Sequence, residues 1–113
     1  MGLRHLSLKT GDLKATERFY AGLLGLKIPF RHRGMLFLRS PGEEDVLDFC
    51  QVSEPFDPKA GGLDHFGLHV DRQRFHDLRE KLKAEGVKVV GRRGRWAVYV
   101  KDPNGYTVEL YAD

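Results

Sequence analysis

HLSLKTGDLKATERFYAGLLGLKI, residues 5–28, returns as HFGLHVDRQRFHDLREKLKAEGVKV, residues 65–89. Both stretches open on a histidine in an alternating apolar run, pass an aspartate into a helical stripe, and end on a glycine before another alternating run. His5 and His65 stand 60 positions apart and Gly25 and Gly86 stand 61 apart, so one inserted residue aligns the two copies. Further along, Asp48 in Val-Leu-Asp-Phe precedes Glu109 in Thr-Val-Glu-Leu by the same 61 positions. Self-similarity at a fixed offset marks a structural unit used twice.

Each copy reads as a strand, a helix and then two or three short strands. In the first, alternation over residues 3–9 predicts the opening strand. Asp12 is placed to cap a helix whose inward stripe is Leu13, Thr16, Tyr20, Leu23 and Leu24, and Gly25 stops it. In the second, Asp71 caps a helix carrying Phe75, Leu78 and Leu82 on one face, and Gly86 ends it in the left-handed conformation. The following strands are divided by Arg31-His32-Arg33-Gly34 and by Gly91-Arg92-Arg93-Gly94. Asp102-Pro103-Asn104-Gly105 is a tight turn joining the last two. Residues 51–62 carry no periodicity, which sets module one at about 1–52, a linker at 53–62 and module two at 63–113. The expected class is α+β, two tandem βαβββ modules in a single domain.

Bulk properties narrow the function. A chain of 113 residues buries roughly two thirds of its unfolded surface, enough for a core without staples. The single cysteine, Cys50, excludes an internal disulfide framework and points to the cytoplasm. No apolar run approaches the ~20 residues of a membrane helix. The 19 basic and 16 acidic residues leave a net charge of +3 with a pI near 9.1, an excess that suits small anionic ligands better than a nucleic-acid backbone.

Alternation also sorts the side chains by face. His5 shares its phase with Leu3, Ser7 and Lys9; His65 with Gly67 and His69; Asp48 with Val46 and Cys50; Glu109 with Thr107 and Tyr111. The opposite phases, such as Leu6 and Leu8 or Leu47 and Phe49, are apolar and carry the helices. Two imidazoles and two carboxylates on the same face of four strands are not what packing requests, because buried charge is costly unless paired or metal-bound. Nitrogen and oxygen donors of this kind suit Zn²⁺, and equally Fe²⁺, Mn²⁺ or Ni²⁺. Phe37 and Arg39, matched by Tyr99 and Lys101, lie in phase with these groups and are candidates for a substrate wall, with His69 as a further acid or base. Arg31, Arg33, Arg92, Arg93 and Arg95 cluster in the two equivalent hairpin turns, where they either ring the mouth of the site or keep exposed turns soluble, the second reading being preferred, and Cys50 reads as a small core filler.

Paired βαβββ units, the opening His strand followed by Phe19-Tyr20 and Leu24-Gly25-Leu26, and the closing run from Asp102 to Leu110 together resemble the vicinal oxygen chelate superfamily. That group includes glyoxalase I, extradiol dioxygenases, fosfomycin-resistance enzymes and metal-free bleomycin-binding proteins. The resemblance implies a U-shaped mixed sheet of eight strands with helices on its outer face, one divalent metal ion per site, and a homodimer. It places His5, His65 and Glu109 at the three most general ligand positions and Asp48 where bacterial glyoxalase I carries a fourth, glutamate ligand. Aspartate is one methylene shorter, so Asp48 binds through a water, acts as the base or merely neutralises the site.

Three functions follow from that resemblance. The first is a glyoxalase I-type lyase or isomerase in which the ion takes adjacent substrate oxygens and Glu109 or Asp48 moves the proton. The second, using only His5, His65 and Glu109, is extradiol cleavage or thiol transfer to a substrate such as fosfomycin. The third is a metal-free drug-binding protein, against which the retention of all four candidate ligands counts. A small, anionic organic substrate is expected in each enzymatic case, with neither nucleic acid nor membrane as partner.

Overall fold

The computed structural model describes all 113 residues and divides into two compact units, Met1–Pro55 and Phe56–Asp113. Unit 1 contains strand β1 (His5–Thr10), helix α1 (Leu13–Glu17) running into a π-helical segment (Arg18–Leu23), and strands β2 (Lys27–His32), β3 (Met35–Arg39) and β4 (Val46–Gln51). Unit 2 repeats the order as β5 (Phe66–His69), α2 (Arg72–Ala84), β6 (Val89–Arg92), β7 (Ala97–Lys101) and β8 (Thr107–Tyr111). All eight expected strands are therefore present, four to a unit.

Each unit builds a four-stranded mixed sheet in the order first, fourth, third, second strand. β1 is parallel to β4 and β5 to β8, while the remaining pairs are antiparallel. The helix carries the chain from one edge of the sheet to the other, which is why the first and last strands of each copy become neighbours. That topology sets each histidine strand beside the strand bearing its carboxylate.

The caps fall where the sequence puts them. Asp12 accepts from the Ala15 amide at 3.0 Å and Asp71 from the Arg74 amide at 2.7 Å, each satisfying an otherwise orphaned helix donor. The first helix departs from the expectation of regular winding. The Leu24 amide bonds the Phe19 carbonyl, five residues back, at 3.0 Å, and this wider turn buries Phe19 beside Tyr20, Leu23 and Leu24.

One face of each sheet is the core. In unit 1 Leu36, Leu38, Leu47 and Phe49 are buried, and the Tyr20 ring lies 5.0 Å from that of Phe49. In unit 2 Phe75, Leu78 and Leu82 of α2 are buried, as are Val98, Val100, Val108 and Leu110 of the sheet. Removing such side chains from water stabilises by roughly 1.5–3 kcal/mol each. The turn before β8 is tied by Asp102, whose carboxylate accepts from the amides of Asn104 and Tyr106, both at 2.9 Å. Gly105 sits at φ +95°, and a Cβ there would stand 3.1 Å from Pro58, so the turn needs glycine on both counts.

Candidate metal centre

The four candidate ligands fall into two pairs, one in each unit. In unit 1 the parallel register sets Ser7 opposite Asp48, with His5 two residues earlier on the same face of β1. His5 Nε2 meets one carboxylate oxygen of Asp48, and Ser7 Oγ donates to the other at 2.5 Å. Asp48 is only 1% exposed, so both oxygens need these partners. The His5 ring itself is largely open to solvent.

Unit 2 repeats the pairing with different company. His65 precedes β5 by one residue, and its Nε2 lies 3.3 Å from Glu109 Oε1, while its Nδ1 lies 2.7 Å from Asp64. An Nδ1 proton donated to Asp64 would leave Nε2 with the lone pair, the arrangement that metal-binding histidines use. The other oxygen of Glu109 receives two donors from Arg93, Nε at 3.1 Å and Nη2 at 2.5 Å. The Glu109 hydrogen bond, and after it one to Tyr99, raise the Arg93 guanidinium further above its already high range.

The spacing of the unit 2 pair suits two ligands of one divalent cation. Two ligand atoms each about 2.1 Å from one ion are about 3.0–3.4 Å apart at octahedral to tetrahedral angles, and the 3.3 Å between His65 Nε2 and Glu109 Oε1 falls within that range. Within either unit, however, no group of three or more His, Cys, Asp or Glu side chains converges.

The other candidate residues are placed as follows. Phe37 is in register with Asp48, and its ring centre lies 5.1 Å from Phe30. Tyr99 is in register with Glu109, its ring perpendicular to His65 at 5.1 Å. Arg39 is exposed and donates to the Asp45 carbonyl at 3.3 Å, and Lys101 Nζ donates to Thr107 Oγ1 at 2.5 Å. His69 pairs with Asp113 at 3.2 Å and packs on Tyr111, its neighbour across the sheet.

Two expectations are corrected. Cys50 is exposed rather than a core filler, because it shares the face of Asp48, away from the helix, and lies past the covered part of β4. Arg93 is not merely a solubilising turn charge, since its side chain reaches back over its own hairpin to Glu109. Asp64 went unnoticed in the sequence, where its only signal is adjacency to a candidate ligand.

The model of the glyoxalase/bleomycin resistance protein/dioxygenase superfamily matches residues 2–110, and the chain belongs to that superfamily. Among curated relatives it is 25% identical to a glutathione transferase FosA of Serratia marcescens, over 96% of this chain and 79% of that protein. It is 26% identical to a lactoylglutathione lyase of Neisseria meningitidis, over 97% and 89%. A glyoxalase/dioxygenase structure from Nostoc punctiforme has the same fold, with a TM-score of 0.83 at 21% identity over 99% of this chain and 90% of that one. The superfamily thus contains enzymes, a glutathione transferase and a lactoylglutathione lyase among them, and no helix of this chain is long and apolar enough to cross a membrane.

Proposed function

We propose that the chain is a divalent-metal-dependent enzyme of this superfamily, with His5, His65 and Glu109 as ligands and Asp48 as the fourth, acting as a glyoxalase I-type lyase or isomerase. The observation that carries the reading is the repeated pair, an imidazole Nε2 set against a buried carboxylate at equivalent places in both modules. When bound, the cation would supply Lewis-acid polarisation of two adjacent substrate oxygens. The chain's own part is the proton transfer: Glu109 or Asp48 takes a proton from one substrate carbon and returns it to its neighbour. Phe37 and Tyr99, in register beside those carboxylates, shield the transfer from water, and Arg39 and Lys101 supply positive charge for an anionic substrate. In the same reading the chain works as a cytoplasmic homodimer.

A second reading is favoured by one observation: Asp48 is already held by Ser7 and His5, and its side chain is short. Asp48 then orients His5 instead of binding the ion, leaving a two-histidine, one-carboxylate face suited to thiol transfer or extradiol cleavage. Metal analysis of protein purified without added metal, followed by assay with the hemithioacetal of methylglyoxal and with a thiol plus fosfomycin, separates the two. Thioester formation with zinc or nickel bound supports the first reading. Thiol transfer with manganese bound, or iron-dependent catechol cleavage, supports the second. Absence of any bound cation after dialysis against each metal overturns both.

A further inference from the structure

We propose that Arg93 is a built-in stand-in for the cation, one that occupies Glu109 until a metal ion displaces it and that is then free to receive an anion. The proposal rests on the metal reading given above and adds a regulatory step to it. Glu109 has a side chain only 8% exposed and needs a counter-charge in any state of the protein. Arg93 supplies it by directing two donors at the single oxygen Oε2, while Oε1 is left facing His65 Nε2. The guanidinium therefore satisfies the part of the carboxylate that the imidazole does not reach.

The geometry also lets Arg93 leave. Its side chain is 64% exposed and stands on the turn between β6 and β7, while its backbone is held by a 3.1 Å hydrogen bond from its amide to the Ala97 carbonyl. Rotation about the side-chain torsions moves the charge away without unpairing the hairpin. Arginine does not lose its proton, so its charge beside an incoming dication is relieved only by movement. Once displaced, the guanidinium is a planar, forked donor at the rim of the unit 2 pair, suited to a carboxylate, phosphonate or phosphate group. Cation and anion then bind in order, the cation first, because the anion's receptor is otherwise engaged with Glu109.

The test is a titration of wild type, Arg93→Ala and Arg93→Gln with Zn²⁺ alone and with Mn²⁺ alone, in competition with a chromophoric chelator. Circular dichroism confirms that each variant is folded. Both variants should bind the cation about tenfold more tightly, or more, than wild type. Binding by the variants with none by wild type supports the same conclusion in its strongest form. Equal or weaker binding by the variants, with wild type binding, overturns the role of Arg93 and leaves the metal reading intact. No binding by any of the three overturns the metal reading itself and Arg93's role with it.

Discussion

On the face away from the helix, one row of neighbours crosses each sheet: Ser7, Asp48, Phe37 and Phe30 in unit 1, and Gly67, Glu109, Tyr99 and Gly91 in unit 2. The carboxylate and the aromatic beside it hold the same places in both rows, and the flanking residues do not. Ser7 gives Asp48 a hydroxyl, whereas a Cβ on Gly67 would stand 2.9 Å from Tyr111 Cε1, so glycine makes room for that ring. Phe30 packs on Phe37 at the far end, where Gly91 offers Tyr99 no side chain and the Tyr99 ring packs on His65 instead. Unit 1 encloses its carboxylate with a small polar neighbour. Unit 2 opens its row and brings in charges from outside, Asp64 on the histidine and Arg93 on the glutamate. The duplicated backbone sets where each acid stands, and the flanks set which side chains surround it.

The comparison is broken most severely in the cores behind the rows. Phe49, packed on Tyr20, and Leu110 occupy equivalent buried positions, and both are essentially inaccessible. Phe49→Ala should cost about 3–5 kcal/mol and Leu110→Ala about 2–5 kcal/mol, the aromatic loss leaving the larger cavity. Urea unfolding measures both, and a smaller loss at Phe49 would show that unit 1 relaxes around the gap.

Next come the carboxylates. If Glu109 is a ligand and Asp48 a supporting acid, Glu109→Gln should lower zinc affinity about 100-fold or more and Asp48→Asn only about tenfold. Equal losses measured by chelator competition would put the two acids on the same footing, as in the four-ligand reading. Asp64 sharpens the difference further, because the residue before the other histidine is Arg4, which pairs with Glu44 at 2.8 Å instead. Asp64→Asn should weaken the cation about tenfold, while Arg4→Ala leaves it unchanged. A titration in which both substitutions act alike would remove the claim that Asp64 orients His65 for the cation.

Much of this was legible in the residues. The repeat fixed the element order, the two aspartate caps fixed the helix starts, and strand alternation put His5 with Ser7 and Asp48 on one face and the core on the other. What escaped has a physical reason in each case. Alternation locates a Cβ but not the end of a long side chain, so the reach of Arg93 from its turn to Glu109 could not be read from its position. The π-wound turn at Arg18–Leu23 depends on how Phe19 and Tyr20 pack against the sheet, which helical periodicity does not encode. Phase gave Cys50 the same face as Asp48, but not how far along β4 that face stays covered.

The smallest effect lies at the back of unit 1, where Arg31 grips Glu17 through two hydrogen bonds of 2.6 and 3.0 Å. In α2 the comparable turn carries Asp77, which takes its hydrogen bond from Gln73 on the same helix, so no such tie from helix to hairpin is made there. The Arg31 hydrogen bond holds the Glu17 carboxyl below its ordinary 4.5, more than desolvation raises it. A carboxyl depressed by folding adds stability that is fully present above the unfolded value and is lost as pH falls through the folded one. Arg31 is well exposed and Glu17 partly so, and solvent and salt screen most of the gain. Glu17→Gln should therefore melt slightly below wild type near neutrality, and the gap should close as pH falls from about 7 to about 3. Thermal melts in low salt across that range test it. A gap that stayed constant into acid would mean that Glu17 contributes by packing its methylenes and not by its charge.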